Sequence, residues 1–529
     1  MEGVLISLDI LSKVYSSLCM IIPDCDETYN YWDPLNLLVR GFGKQTWEYS
    51  PEFAIRSYSY LLPYYIISYP VNYIVKEWGL PSYYIFYFIR FVLNGFTVYS
   101  ELKLYYSLKK TFPNSSNWYL FLTAIATGMS HAGVALLPSS FAMQCVTMSI
   151  SYALKEFSIG NAVGSLTWIM IGGLFGWPFV LALAVPYGLY TLLHYKQLSS
   201  VIIRCIVNLS SIVAVIVTID SFFYKKLAFI PLNIVLYNVF GGEGEGPEIF
   251  GVEPFSYYIL NLALNFNVVA IFGFIGLVDF SGKKWAINLP LILWCLIFGS
   301  QPHKEERFLY PIYSLIIANA AVALGGLYTF VDGLLENINA RIISKISKVL
   351  VVFLISSISF LRTVNLVENY STPLVVSKEL AHLEGGNVCI GREWYHFPTS
   401  FFLNNDQRLK YIKSGFDGLL PGDFKEGEPL FDVTSFTPEG FNNKNMFSET
   451  TIIPFEQCDY YIDNSGKTNG IEPDFTNEPK DWERVTCKKI INPDGNHGIG
   501  RLIYIPPILR TFIPYNVDYM EFCLYKKHI

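Results

Sequence analysis

The chain has 529 residues, 52% of them hydrophobic and only 16% charged, with a mean hydropathy of +0.34. Soluble globular chains are about a quarter charged, so lipid is the solvent for much of this chain and an ordinary soluble protein is excluded. A net charge of −6 supplies no polybasic surface, which excludes nucleic acid as a partner.

The first apolar stretch, 4–22, carries Asp9 and Lys13 and no basic leader, so it is expected to be a retained first span. Further apolar stretches fall at 56–75, 83–105, 118–137, 139–156, 163–193, 201–219, 257–279, 285–300, 308–327 and 347–361. With ~20 residues needed to cross the hydrocarbon, roughly eleven or twelve spans are expected. Arg90 and Glu101 lie inside one of them. Such charges are costly in lipid, so both should face a bundle interior or an aqueous cavity.

Two inter-span loops, 23–55 and 220–256, are longer than a helix hairpin needs, and loops of that kind are functional or disordered. Their aromatic stretches "YNYWDPLNLL" and "FGVEPFSYY" favour packed caps. After residue 362 the chain turns polar, and short β-branched runs alternate with turns. The expected division is therefore a membrane domain, 1–362, and a mixed α/β domain, 363–529.

Cys389, Cys458, Cys487 and Cys523 lie in that polar region. They permit two disulfides in any of three connectivities if it faces an oxidising lumen, or four free thiols if it does not. The sequon Asn369-Tyr370-Ser371 also speaks for the lumen. The terminal Lys526-Lys527-His528-Ile529 looks like a cytosolic retrieval signal and speaks against it. The lumen is the preferred side.

Asp24, Asp26 and Glu27 stand at the mouth of the first apolar helix. Displacement at a glycosyl carbon calls for a carboxylate base within hydrogen-bond reach of the attacking hydroxyl. The competing reading is a helix cap, with Asp26 or Thr28 opening a short helix through "YNYWDPLNLLVR".

The second cluster is "QPHKEERFLYP", 301–311. A helix starting near His303 would put His303, Lys304 and Arg307 on one side and point Glu305 and Glu306 elsewhere. Imidazole, ammonium and guanidinium together suit a phosphate, which arginine grips with two parallel bonds. Two acids against two firm cations would make a poor juxtamembrane anchor, the competing reading. A phosphate departs as a stable anion, so one base and one cationic clamp suffice. The seven histidines are dispersed and no metal is expected.

Together "CDETYNYWDPLNLLVRGFGKQTWEYSPEFAIRSYSYLLP", "HKEERFLYPIY", "GWPFVLALAVP", "IFGVEPFSYYILNLALNF", "GREWYHFPTSFFL" and "SGFDGLLPGDF" resemble the signatures of glycosyltransferase family 22. The resemblance covers nearly the whole chain. It implies a polytopic α-helical membrane protein of the GT-C fold, resident in the endoplasmic reticulum, with active site and C-terminal domain in the lumen. It implies an inverting α-1,2-mannosyltransferase that moves mannose from dolichyl phosphate mannose to the lipid-linked N-glycan precursor, adding the seventh and ninth mannoses. No obligatory protein partner is expected.

The resemblance puts the base on Asp26, the first acid of an acid-Glu pair with Glu27, while Asp24 and Glu27 stay open as alternatives. It assigns donor-phosphate contacts to the motif His303, Lys304, Glu305 and Arg307, with Arg307 foremost. In "KQTWEYSPEFAIR", Trp47 and Tyr49 would stack on sugar rings and Glu48 and Arg56 would bond hydroxyls or phosphate, unless the aromatics form an interfacial belt. Arg392, Trp394, Tyr395 and Asp417 are candidate acceptor contacts. Two departures stand out: Asp33 replaces the usual Glu of a Tyr-Trp-Glu-Pro run, and Phe223-Tyr224-Lys225-Lys226 lacks a usual glycine, which should alter a turn.

The alternatives are an α-1,6 or glycolipid-anchor mannosyltransferase of the same family, and a lipid transporter or scramblase. A transporter predicts an internal repeat, and none is visible.

Overall fold

The computed structural model describes residues 1–194, 197–242, 244–337, 340–475 and 481–528; Glu243 of the second long loop and Ile529 of the terminal tetrapeptide lie outside them. Two compact units emerge, each assembled from three pieces of sequence. One comprises Met1–Leu18, Phe91–Ile216 and Phe250–Thr363; the other comprises Cys19–Arg90, Val217–Ile249 and Val364–Ile529. One border falls beside the change in composition at residue 362. The expected split into 1–362 and 363–529 is otherwise replaced by discontinuous units, because the opening loop shares its core with C-terminal residues.

Among the described residues four helices are long and apolar enough to cross a membrane: Ile159–Gly176, Leu198–Tyr224, Glu306–Glu336 and Arg341–Tyr370. Two bent pairs, Thr127–Val134 with Pro138–Ala153 and Ser256–Phe266 with Val268–Val278, raise the number to six if each counts once. The other apolar stretches form helices that are shorter or more polar. Both bends, each of 113°, have local causes. Leu137 precedes Pro138, which disfavours helical backbone before it, and it is extended at φ −113°. Asn267 turns the chain with a positive φ of 46° and ψ of −130°, far from helical backbone.

The first unit is helical. Its buried Lys13 stands 3.3 Å from Glu101 and 3.7 Å from Asp9, so the charges of the first helix are paired inside the bundle. Arg90, in the second unit, is also buried and donates to the Met20 carbonyl. Neither Arg90 nor Glu101 faces lipid.

The second unit is built on strands. They are β1 (Lys44–Gln45), β2 (Gly386–Ile390), β3 (Gln407–Tyr411), β4 (Gly422–Asp423), β5 (Tyr460–Asn464), β6 (Trp482–Ile491) and β7 (Tyr519–Lys527). Five form one sheet in the order β3-β2-β5-β7-β6, parallel on the β3-β2-β5 side and antiparallel on the β5-β7-β6 side. Its strands carry alternating Val, Ile, Leu and Tyr whose inner face packs against Tyr29 and Phe42 of the opening loop. The remaining pair, β1 with β4, joins that loop to the C-terminal residues directly.

Cys389 is bonded to Cys458 and Cys487 to Cys523, which selects one of the three connectivities. The sequon is corrected. Asn369 is buried, and its amide nitrogen, the atom a glycan would occupy, donates to Asn365, Tyr515 and the Gly500 carbonyl. The glycine missing from "FYKK" does not abolish its turn either, since Lys225 itself adopts φ 50°.

Candidate active site

In the opening segment Asp24 is the cap. It is extended at φ −134° and its Oδ1 accepts from the Asp26 amide at 2.9 Å, starting the helical turn Cys25–Glu27. This corrects the expectation that Asp26 or Thr28 caps. A π-helical turn, Thr28–Trp32, and the helix Asp33–Arg40 follow, and Gly41 ends the helix at φ 88°. The three acids are thereby sorted. Glu27 is 2% exposed and accepts from the Trp32 indole at 2.8 Å, while Asp26 keeps 36% of its side chain exposed.

C-terminal residues of the same unit hold this segment in place. The Asp33 carboxylate is fully buried and accepts from the amide and hydroxyl of Ser400, both at 2.8 Å, from Thr399 Oγ1 at 3.2 Å and from the Lys44 amide at 3.1 Å. Burial nevertheless pushes its carboxyl above the ordinary range. Gly43 permits the close approach, since a Cβ there would stand 2.5 Å from the Asp33 carbonyl oxygen. Tyr29 donates to the Trp394 carbonyl at 2.7 Å, and Arg40 to the carbonyls of Ser400 and Leu403. The stretch "GREWYHFPTSFF" is thus a buttress under the acids, a role that its sequence did not disclose.

Arg56 sits beside Asp26, with its guanidinium 4.0 Å from Asp26 Oδ2. It grips Glu48 with two bonds, Nε–Oε2 at 3.0 Å and Nη2–Oε1 at 2.6 Å, and donates to the Tyr31 hydroxyl at 2.9 Å. Burial opposes its charge, but Glu48, Tyr31 and Asp26 outweigh burial and drive its pKa up. Glu48 and Arg56 therefore engage each other.

The two aromatics expected as sugar platforms pack against the protein. Trp47 is buried between Phe53, with ring centroids 5.0 Å apart, and Tyr237, at 5.2 Å. Tyr49 is fully buried and donates to the Asn30 carbonyl at 2.6 Å. Arg392 forms a fork with Asp463, at 2.8 and 3.1 Å, and donates to three carbonyls of the Asn464–Lys467 turn, so it organises a loop. Burial pushes Asp463 up to about 6 in spite of that arginine. Tyr395 and Asp417 remain exposed, and Trp394 packs on Phe416.

In the first unit the expected helix does not start at His303. Residues 301–305 are non-helical, and a 3-10 turn, Glu306–Leu309, precedes the helix Tyr310–Asn337. Consequently Glu305 does not point elsewhere. It sits between His303, whose Nε2 is 2.9 Å from Oε1, and Arg307, whose Nε contacts Oε2. The other imidazole nitrogen, Nδ1, donates to the Gly251 carbonyl at 2.7 Å. Both nitrogens face acceptors, so the doubly protonated ring fits the site. Burial works against that charge, but the bonds to Glu305 and Gly251 prevail and raise the His303 pKa. Burial also opposes charge on Glu305, yet Arg307 and His303 hold its carboxyl down at about 2.

Lys304 donates to the carbonyls of Glu253, at 2.9 Å, and Gln301, so it pins the "FGVEP" loop and does not share a face with Arg307. Glu306 bonds His131 at 2.6 Å and Asn265 at 3.0 Å. Sequence reasoning missed both partners, because single polar residues inside apolar helices carry no motif. Every charge of the His303–Arg307 segment is thus oriented by a neighbour, with cations outnumbering acids.

No metal cage was expected, yet the ligand atoms of Asp24, Cys25 and Asp26 lie within 4.8 Å of one another. Of these atoms, Asp24 Oδ1 is engaged in capping.

Residues 5–404 match the Alg9-like mannosyltransferase family. The chain is 39% identical to the α-1,2-mannosyltransferase ALG9 of Saccharomyces cerevisiae, over 99% of this chain and 97% of that protein. It is 33% identical to human ALG9, over 94% of this chain and 84% of that protein. Its fold resembles the crystal structure of ArnT from Cupriavidus metallidurans bound to undecaprenyl phosphate, with a TM-score of 0.51 at 10% identity over 78% of this chain and 86% of that one. That likeness confirms the expected GT-C membrane fold. With a family match across most of its length and relatives this similar, the chain belongs to the Alg9-like mannosyltransferase family.

Proposed function

We propose that the protein is the α-1,2-mannosyltransferase of N-glycan precursor assembly that uses dolichyl phosphate mannose. It adds the seventh and ninth mannoses to the dolichyl-pyrophosphate-linked glycan. The observation that carries this reading is 39% identity, across 99% of the chain, to a relative named for that linkage.

The mechanism follows from how the acids are sorted. Asp24 caps and Glu27 is buried, so the base is Asp26, whose partial exposure lets a substrate hydroxyl reach it. Glu27 supports the segment through Trp32. Asp26 takes the proton of the acceptor 2-hydroxyl as its oxygen bonds the mannose C1 from the face opposite the phosphate. The C1–O bond to phosphate breaks and its electron pair leaves with dolichyl phosphate, so a β-linked donor gives an α-linked product.

Arg307, with a guanidinium matched to phosphate geometry, stabilises the departing charge, and the His303 imidazolium adds to it. Glu305 orients both, and Lys304 holds the loop. No step requires a metal.

We further propose that the protein resides in the endoplasmic reticulum membrane with its C-terminal residues in the lumen. The two disulfides support that side. Lys526 and Lys527 belong to β7, paired with β5 and β6, and so do not form a free cytosolic tail.

The test is transfer by purified protein from dolichyl phosphate mannose to the six-mannose lipid-linked acceptor, followed by linkage analysis. An α-1,2-linked product is expected. An α-1,6 linkage, or transfer only to a glycolipid-anchor acceptor, would overturn the proposal in favour of another member of the family.

A further inference from the structure

The connection between β6 and β7 carries the densest exposed apolar cluster in the polar C-terminal region. Leu502 is 49% exposed, Ile508 81%, Leu509 40%, Phe512 83% and Ile513 39%. An aqueous loop would place such residues inward or replace them. From Gly495 to Val517 the sequence contains no acid, while Arg501 and Arg510 are cationic.

The tip is shaped and not slack. The Arg510 guanidinium lies between the rings of Tyr504, at 5.3 Å, and Tyr515, at 4.4 Å, and its Nε donates to the Ile505 carbonyl at 2.8 Å. Short 3-10 turns at Gly498–Arg501 and Pro507–Leu509 fix the arms. Exposed aliphatic and phenyl groups, two tyrosines and two arginines without acids form the composition that settles at the headgroup boundary of a bilayer.

The base of the loop fixes its height. Asn365 donates to the Arg501 carbonyl at 3.4 Å, Asn369 donates to the Gly500 carbonyl at 3.3 Å, and Tyr519 donates back to Asn369 at 2.9 Å. Both asparagines lie on the helix Arg341–Tyr370, which is long and apolar enough to cross a membrane. Its apolar stretch stops at Arg362. At about 1.5 Å per residue the two asparagines stand roughly 5–10 Å beyond it, within the headgroup layer.

We infer that residues 502–513 form an interfacial anchor whose apolar tip, Ile508 and Phe512, enters the bilayer on the side occupied by the C-terminal domain. The partner is the lipid surface itself, with Arg501 and Arg510 at the level of the phosphates. The inference is independent of the catalytic assignments.

The test reads depth directly. A dansyl amino acid is incorporated at position 512 of the full-length protein, and in a second sample at position 436, where Phe436 is 40% exposed in the same unit. Both proteins are reconstituted in phosphatidylcholine vesicles. The probe at 512 is expected to emit at shorter wavelength, to be quenched strongly by brominated lipid and to be shielded several-fold from aqueous iodide relative to 436. Equal iodide quenching at the two positions would overturn the anchor. So would shielding at 512 that vanishes on dilution, which would indicate a second copy of the chain. Brominated-lipid quenching that is lost on adding dolichyl phosphate would also overturn it, because the loop would then hold a lipid carrier and not the bilayer.

Discussion

The Arg56 guanidinium stands 4.0 Å from the Asp26 carboxylate while clasping Glu48 through two parallel bonds. A rigid, permanently charged neighbour fixes where the base points and is itself fixed by an acid that has no other use in the proposed chemistry. Arg56→Lys keeps the charge but loses the fork. Turnover is expected to fall about tenfold with donor binding unchanged, because the near-attack geometry is loosened. Arg56→Ala strands the Glu48 carboxylate and should cost about 3 kcal/mol of stability, seen as a lowered Tm. An Arg56→Lys enzyme of normal turnover would show that Arg56 does not position Asp26.

Arg307 is proposed to meet the departing phosphate. Arg307→Lys replaces a planar fork by a point charge, so transfer should fall about 10- to 100-fold with a raised donor KM. Steady-state kinetics with dolichyl phosphate mannose checks this, and an unchanged KM and kcat would remove the assignment.

The His303–Glu305 pair makes stability depend on pH in a defined direction. The folded-state pKa of His303 lies above its ordinary 6.5. Its contribution is therefore complete below pH 6.5 and is lost as the pH rises through the folded value. Glu305, held down at about 2, acts oppositely: its contribution is present above its ordinary 4.5 and is lost as the pH falls towards 2. Thermal unfolding between about pH 6 and pH 9 should show Tm declining on the alkaline side, with a shallower decline in His303→Asn. Identical slopes for the two proteins would refute the pairing.

Asp33 binds the opening segment to the C-terminal residues through three accepted hydrogen bonds and accepts a fourth from the Lys44 amide within the segment. Asp33→Ala leaves the Ser400 amide and hydroxyl buried without an acceptor and should cost about 3 kcal/mol. Limited proteolysis of the 23–55 loop should accelerate in parallel. A variant of wild-type Tm and resistance would show that the buttress is dispensable.

The sequence disclosed what is periodic or clustered and hid what depends on distant partners. The apolar stretches, the burial of Arg90 and Glu101 and the presence of a sheet in the polar C-terminal region were legible from spacing and composition. The roles of Trp47, Tyr49 and Arg392 were not. An aromatic that stacks on sugar and one that packs in a core have the same letter, and only Phe53, Tyr237 and Asn30 decide which occurs. Glu305 was misdirected because helical phase was taken to begin near His303, whereas residues 301–305 are non-helical and the first turn begins at Glu306. The Asn369 sequon was misleading for a similar reason: its three-residue pattern is blind to Gly500 and Tyr515, more than a hundred residues away, which enclose the amide.

The proposed chemistry depends most on Asp26 as the group that takes the acceptor proton, and the direct measurement is turnover of Asp26→Asn beside Glu27→Gln and Asp24→Asn, with donor binding followed separately. The prediction is a kcat reduced by about 10²- to 10⁴-fold in Asp26→Asn alone, with donor affinity and Tm retained. Full turnover in Asp26→Asn, or an equal loss confined to Glu27→Gln in a protein that stays folded, would contradict it.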